Sequence, residues 1–455
     1  MRFADLADKR VAVWGYGREG RATLAALRRR LPGQQVTLIC SEAEAEQARP
    51  FHGDALDYLT TEPYAGLLWG FDVVVKSPGI SAYLPAIVEA RAAGVQFTSG
   101  TALWFGENPL ARVVGVTGTK GKSTSSALIA HLLRRIGQRV ALAGNIGLPL
   151  LELLDAPELV DCWVVELSSF QTGEVGRVDV GLINNVYEEH LDWHGSRERY
   201  VADKLRLAEH AATLVVNGQQ QELLAATAAH AQRRVFGTSA GWHVAEGCIW
   251  RGGECLFALR ELPLAGEHNG LNLCAALSVI EALGLDARAA LPAARDFHPL
   301  PHRLQKLGEQ GGLSWINDSI STTPQATIEA LRSLDGRAVS VLVGGFDRGL
   351  DWSEFTRYVQ RRPPQAVICL GNSGARIARQ LTAAEPAYRL GHCVALAEAV
   401  TLAREWTPSG GVVLLSPGAP SFDQFRDYAD RGRAFTQLAG FDPQSISAIE
   451  GLGVA

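Results

Sequence analysis

Runs of β-branched and apolar residues recur along this chain, each separated from the next by a stretch long enough to hold a helix. They fall at Val11–Val13, Val36–Cys40, Asp72–Val75, Val113–Val116, Cys162–Glu166, Val180–Asn184 and Thr213–Val216. Three more follow at Val339–Val343, Ala366–Leu370 and Gly411–Leu415. A strand that is apolar along its whole length, with no polar alternation, is covered on both faces. Such strands joined through helices make parallel sheets, because a parallel crossover needs a long connection and a helix supplies it. The chain therefore reads as an α/β protein. Gly, Ser or Asn follows most of the runs, which places loops at the carboxyl ends of the strands, where open α/β sheets bind ligands.

Two breaks interrupt the alternation. Glu107–Pro109 precedes a new strand, and Phe297–His302 carries two prolines that cannot continue the helix before them. Cutting there gives domains 1–107, 108–298 and 299–455, in keeping with 455 residues at roughly 150 per domain. The expected architecture is a Rossmann-like N-terminal domain, a central P-loop ATPase-type parallel sheet and a Rossmann-like C-terminal domain. Lys and Arg number 43 against 48 Asp and Glu, a net charge of −5. That balance argues against a nucleic-acid partner. No apolar run approaches the ~18 residues of a membrane span, and Met1–Asp5 has no apolar signal core. Seven cysteines without a C-x-x-C pair suggest free, buried thiols in a reducing cytoplasm. The expectation is a cytoplasmic monomer without membrane insertion.

Three stretches carry chemistry. Gly15, Tyr16, Gly17 and Gly20 form a G-x-G-x-x-G turn between a strand and a helix start. Glycines there let the backbone approach a pyrophosphate at the helix N-terminus. The turn is open to three readings: an NAD site with Glu42 as the acidic partner, a site for another nucleotide diphosphate, or a tight turn that binds nothing. Ser77, Pro78 and Gly79 follow the strand at 72–75 and face the same crevice. The second stretch is Gly118, Thr119, Lys120, Gly121, Lys122, Ser123 and Thr124, between a strand and a helix. Its backbone N–H groups can cradle phosphates, Lys122 can neutralise β- and γ-oxygens, and the Ser123 hydroxyl can ligate Mg²⁺. Lysine at a helix N-terminus opposes the helix dipole, so it needs an anion beside it. The third lies at two strand ends. Glu166 ends a buried strand, where a carboxylate is costly unless paired or metal-bound. His190 follows the next strand among Glu188, Glu189 and Asp192, either as a metal ligand or as part of a hydrated polar loop. In the helical segment 197–210, Val201, Leu205, Ala208 and Ala212 make the inward stripe and Lys204 sits beside it, where its stem could simply cover apolar surface.

The sequence T-G-T-x-G-K-S-T at residues 117–124 resembles the phosphate loop of the Mur ligase superfamily, ATP-dependent amino-acid ligases of peptidoglycan synthesis; folylpolyglutamate synthases share it. The resemblance extends through residues 185–192, through His268–Ala275 and through Pro301–Gln305. It implies ATP contacts from Asn269 and Asn272, a γ-phosphate contact from Arg303, and a ribose or water-bridged metal contact from Asp318. It also implies Mg²⁺ held with His190 and with a carbamylated Lys204, and an acceptor contact from Asn145. The segment Leu415–Phe425, continued through Tyr428 to Gly432, resembles the branch that adds glutamate to UDP-N-acetylmuramoyl-L-alanine. That branch binds UDP at its N-terminal domain, a domain folylpolyglutamate synthases lack, and forms an acyl phosphate in the course of reaction. Closure about 298–303 is expected with it.

The resemblance departs at the positions that would receive glutamate. Where the D-glutamate enzymes have Lys-Ala-Thr-Asn after Asp-Ser, this chain has Ile320, Ser321, Thr322 and Thr323, then Pro324. Arg348 stands for a lysine and Tyr428 for a phenylalanine. With Ser421 and Phe422, Thr322, Arg348 and Tyr428 are the candidates for that pocket. The pattern suggests the divergent ligase that adds L-glutamate, partnered by an epimerase that later inverts the centre. A D-glutamate ligase, an NAD-dependent oxidoreductase and a non-catalytic UDP-sugar sensor are the alternatives.

Overall fold

The structure, a computed structural model, describes all residues except 53–54, 156–158, 188–190, 265, 445–448, 450 and 455, and only the backbone of Leu191 and Asp192. The chain divides into two compact units, 1–297 with 451–455, and 298–450.

The first unit holds two parallel sheets. Strands β1 (Val11–Trp14), β2 (Val36–Ile39), β3 (Leu56–Leu59), β4 (Val73–Lys76) and β5 (Gln96–Thr98) lie in the order β3-β2-β1-β4-β5, all parallel. Strands β6 (Val113–Thr117), β7 (Val140–Gly144), β8 (Cys162–Glu166), β9 (Val178–Ile183), β10 (Ala211–Asn217) and β11 (Arg233–Phe236) form the second, in the order β11-β10-β9-β6-β8-β7. β6, β7 and β8 are buried at every position, which is why their sequences are apolar except for Thr117 and Glu166 at the strand ends. One hydrophobic core runs from Phe3 through Trp104 and Trp163 to Leu223, with the rings of Trp104 and Trp163 4.6 Å apart. The two sheets of this unit therefore share their packing.

A small antiparallel sheet follows, of β12 (Trp242–Ala245), β13 (Cys248–Arg251) and β14 (Glu254–Ala258). It corrects the expectation of free thiols throughout. The β13–β14 hairpin brings the Cα atoms of Cys248 and Cys255 within 5.9 Å and a disulfide joins them, a separation such a bond spans without moving the backbone. Cys40, Cys162, Cys274, Cys369 and Cys393 are free.

The second unit has the sheet order β15-β16-β20-β17-β18-β19, formed by β15 (Gln305–Gln310), β16 (Leu313–Asn317), β17 (Val339–Val343), β18 (Ala366–Leu370), β19 (Arg389–Cys393) and β20 (Val412–Leu415). Only β15 is antiparallel to its neighbour. Val339, Val341 and Val343 face one core cluster and Leu342 the other, so helices cover both faces. A last strand, β21 (Gly453–Val454), returns to the first unit and pairs antiparallel with β7. No helix among the described residues is long and apolar enough to cross a membrane.

Candidate active site

Both sheets of the first unit place their glycine loops where the strand order reverses. β1 and β4 are neighbours with Trp14 opposite Lys76, so the loop that starts at Gly15 lies against the loop that starts at Ser77. Gly15 has φ +94°, and a Cβ there would come within 2.8 Å of Ser77 Oγ; glycine is what lets the loops touch. Ser77 Oγ is buried and holds no hydrogen bond within the protein. Gly17 and Gly79 have open space around them. Tyr16, a candidate substrate residue, is buried, with its hydroxyl 3.1 Å from His52 Nε2. The acidic residue that reaches the turn is Glu44, which accepts Tyr16 N–H at 3.2 Å. The expected Glu42 is one half-turn earlier and pairs with Arg49 instead.

In the central sheet, β6 lies between β9 and β8, so three strand ends meet. The loop after β6 turns through Gly118 and Gly121 into the helix Lys122–Arg135. Gly121 is left-handed at φ +78°, and a Cβ would overlap Asn272 Oδ1. The helix Glu267–Ala282 thereby brings Asn272 against the phosphate loop. Asn272 donates to Asn269 Oδ1 at 3.1 Å and accepts from Ser125 Oγ at 3.2 Å. Lys122 Nζ donates to the carbonyls of Gly118 (2.9 Å) and Thr119 (3.1 Å), which curls the lysine over the cradle. Ser123 and Thr124 form the first turn of the helix, and Lys120 N–H donates to Asn185 Oδ1 at 2.8 Å.

Glu166 at the end of β8 is 1% exposed. Its Oε1 accepts Asn145 Nδ2 at 2.8 Å, and its buried Oε2 has no hydrogen-bond partner. From the other side, Lys204 Nζ donates to Gly118 O at 2.9 Å and lies 4.9 Å from the Tyr200 ring centroid. Lys204 is 2% exposed. The inward face of its helix, Arg197–His210, is Tyr200, Asp203, Lys204 and Leu207. Val201, Leu205 and Ala208 are only half-buried, and Ala212 lies in β10. This corrects the expected stripe by one residue and puts Lys204 on it. His190 lies outside the described residues. Among the described residues no three His, Cys, Asp or Glu converge as a metal site.

Glycines that keep the loop close to its neighbours, an orphaned buried carboxylate oxygen and a buried lysine around one loop fit a triphosphate with a divalent cation. The cradle could take the phosphates, Lys122 could offset their charge, and Glu166 Oε2 could supply the hard oxygen that Mg²⁺ prefers. The asparagines that order this cradle, Asn184 and Asn185, are not among the sequence candidates, although Asn185 opens the motif at 185–192. Asn184 Nδ2 donates to Ser125 Oγ at 2.7 Å, and Thr119 N–H donates to Asn185 O at 3.0 Å. Their position directly after β9 was the available signal.

In the second unit, Asp318 follows β16 and is buried. Its carboxylate accepts Leu304 N–H at 3.0 Å, Ser416 Oγ at 2.8 Å and Ser321 Oγ. Burial raises its pKa despite these donors. Asp318 thus orders the backbone after Arg303, which is half-buried. Thr322 and Arg348 are exposed, Ser421 is buried, and Phe422 is exposed with its ring 6.4 Å from that of Phe346. Tyr428 begins a helix, and its carbonyl accepts Ser319 Oγ at 2.7 Å. The residue that joins these loops is the buried Arg431. It donates to Ser319 Oγ and O, Ala419 O and Pro420 O at 2.9–3.1 Å. Only its place in a motif, and no chemical argument, pointed to it in the sequence.

Comparison with known proteins identifies the family. Residues 116–280 match the model of the Mur ligase middle domain, and residues 302–418 that of the Mur ligase glutamate ligase domain. A protein of Xanthomonas euvesicatoria named UDP-N-acetylmuramoyl-L-alanine--L-glutamate ligase is 49% identical over 468 aligned positions, covering 100% of both chains. One of the same name from Xylella fastidiosa is 48% identical, again over 100% of both. The crystal structure of UDP-N-acetylmuramate-alanine ligase from Thermotoga maritima shares the fold with a TM-score of 0.60 at 18% identity, covering 94% of this chain and 98% of its own.

Proposed function

The chain belongs to the Mur ligase family of ATP-dependent amide-bond-forming ligases, and from that premise we propose that it joins L-glutamate to UDP-N-acetylmuramoyl-L-alanine through an acyl phosphate. The observation that carries this reading is full-length identity near one half to relatives whose name states that reaction. The departures at Ile320–Pro324, Arg348 and Tyr428 support it, because they fall where the family's amino acid is received.

The acceptor carboxylate attacks the γ-phosphorus of ATP; the bond to the β-γ bridging oxygen breaks, and ADP leaves. Both reactants are anions, so fixed cations must offset their repulsion. Lys122 and Arg303 serve that purpose. Bound Mg²⁺ would neutralise phosphate oxygens, with Ser123, Glu166, His190 and Lys204 to hold it. For Lys204 this means a carbamate: its neutral amine adds to CO₂ and a proton leaves. The carbamate nitrogen keeps one N–H for Gly118 O. The neutral glutamate amine then attacks the acyl carbon, the bond from that carbon to the phosphate oxygen breaks, phosphate leaves, and the nitrogen gives up one proton to solvent, leaving the amide.

The work divides along the chain. Residues 1–107 hold the UDP end through Gly15, Tyr16, Gly17, Ser77, Pro78 and Gly79, the segment 108–298 holds ATP and the acceptor through Asn145, and 299–455 holds glutamate through Thr322, Arg348, Ser421, Phe422 and Tyr428. The product carries an L-centre, so an epimerase would act after this enzyme, in the cytoplasm where the nucleotide substrates are. Purified protein given ATP, Mg²⁺, the UDP-linked acceptor and one glutamate enantiomer at a time is the test. Product is expected with L-glutamate. Product with D-glutamate alone would overturn the enantiomer, and no product with either would overturn the reaction.

A further inference from the structure

Asp203, the residue before Lys204, is the centre of a buried hydrogen-bond chain that the reaction above does not use. Tyr83, in the loop after β4, donates its hydroxyl to both Asp203 oxygens at 2.8 and 2.9 Å. His194, at the end of the short helix Leu191–His194, places Nδ1 2.7 Å from Asp203 Oδ2. Its Nε2 lies 3.0 Å from Ser169 Oγ, in the loop after β8. Thr172 Oγ1 donates to the Asp203 carbonyl at 2.6 Å. The imidazole is fully buried and packed by the rings of Phe170, Trp193 and Tyr200, with centroids 4.5–5.5 Å away. The tautomer with its proton on Nδ1 satisfies the whole chain: Nδ1–H donates to Asp203, and Nε2 accepts from Ser169.

The distances are those of a hydrolase Ser-His-Asp set, but Ser169 is 5% exposed, so no substrate reaches its hydroxyl. What the chain does control is direction. Successive side chains on a helix point about 100° apart, so fixing Asp203 sets the angle at which Lys204 leaves the same helix. Three segments outside that helix hold Asp203 in place. An apolar side chain would fill the space without burying a carboxylate, whereas hydrogen bonds impose an orientation.

We propose that His194 and Asp203 are positioning residues that aim Lys204 at the phosphate loop, and that Tyr83 ties this setting to the loop Ser77–Tyr83. The inference rests on the reading of Lys204 as a carbamylated metal-holding residue. None of the hydrogen-bonded groups around Asp203 touches the phosphate loop; the other route to it is Tyr200, whose ring packs on His194 and whose hydroxyl lies 2.7 Å from Thr119 Oγ1, so the label on Lys204 is the readout specific to aiming.

The test uses the full chain with His194→Ala, His194→Asn, Asp203→Asn and Tyr83→Phe. It measures kcat, the KM for ATP and for the UDP-linked acceptor, thermal unfolding, and ¹³C from labelled bicarbonate carried on Lys204, read by NMR. His194→Ala and Asp203→Asn should lower kcat by about tenfold or more, as loss of a residue supporting a metal ligand does, with both KM values little changed and the ¹³C label reduced. His194→Asn keeps a donor toward Asp203 and should recover most of kcat. Tyr83→Phe removes one hydroxyl from an exposed residue and should lower kcat by about threefold, the worth of one hydrogen bond, with unfolding unchanged. Folded His194→Ala and Tyr83→Phe proteins with parental kcat and full label would overturn the proposal, as would His194→Asn performing no better than His194→Ala. Lys204→Ala separates the two failures. If it is inactive while the other variants match the parent, only the positioning role falls. If it is fully active, the carbamate reading falls with it.

Discussion

Glu166 holds one carboxylate oxygen against Asn145 and leaves the other buried without a hydrogen bond. An ionised carboxylate in that state costs several kcal/mol unless a cation approaches it. Glu166→Gln keeps the shape and removes the charge. Its thermal unfolding should therefore fall at or above the parent's, while the Mg²⁺ needed for half-maximal activity rises by about tenfold or more. Parallel melts and Mg²⁺ titrations check this; a parental Mg²⁺ response would remove Glu166 from the ligands. Gly121 offers a second residue-scale test. Alanine at φ +78° pays about 1–2 kcal/mol for the left-handed backbone, and its Cβ would overlap Asn272 Oδ1. The loop must shift away from its neighbour, so Gly121→Ala should raise the KM for ATP at least about tenfold, the equivalent of 1.4 kcal/mol. An ATP titration with unchanged KM would show that the cradle does not hold the nucleotide. Both residues were legible in the sequence for one reason: a glycine loop and a strand-end carboxylate are dictated by backbone geometry and charge, which a motif records directly.

Elements whose buried faces are polar were harder to read. In Arg197–His210 the apolar pattern selected Val201, Leu205 and Ala208, but the inward face carries Asp203 and Lys204. Hydrophobic periodicity has no means of marking a buried ion whose partners come from elsewhere in the chain. The same limit explains Glu44, whose bond to the Tyr16 N–H depends on where the helix after β2 begins, and the Cys248–Cys255 bond, which depends on a hairpin register. By contrast, the largely apolar strands β6, β8, β17, β18 and β20, buried at every position, could be located from their sequence alone. Arg431 belongs to the hard class. It staples the loop after β16 to the loop after β20 through four acceptors, and burial lowers its pKa to about 10. Lysine cannot reproduce the guanidinium fork. Arg431→Lys leaves carbonyls of both loops unsatisfied and should destabilise the protein by about 2–4 kcal/mol. Urea unfolding measures it, and a parental midpoint would mean that the two loops hold each other without the arginine.

At the scale of the molecule, the two compact units carry buried groups whose protonation pulls stability in opposite directions with pH. In the first unit, burial and the neighbouring Glu174 raise Glu19 from 4.5 to about 7. The folded state then binds more protons than the unfolded one between those values, so this stabilisation is complete below pH 4.5 and is lost as pH rises through 7. In the second unit, burial lowers His302 from 6.5 to about 4; its Nδ1 lies 3.0 Å from Asn317 Nδ2. Here the unfolded state binds more protons, so the contribution is complete above pH 6.5 and is lost as pH falls through 4. Asp318, also raised by burial, opposes His302 within the same unit, so the net slope of that unit does not isolate either group. Difference curves do. The stability of the parent minus that of His302→Gln should rise with pH between 4 and 6.5. The same difference for Glu19→Gln should fall between 4.5 and 7. Each change is of the order of 2 kcal/mol, since one pKa unit is worth about 1.4 kcal/mol before relaxation is counted. Denaturant melts at half-unit pH steps would show both. Two difference curves of the same sign would mean that one group is not held as its surroundings require: either Glu19 reaches solvent or His302 finds an acceptor for its second nitrogen, which is buried without one.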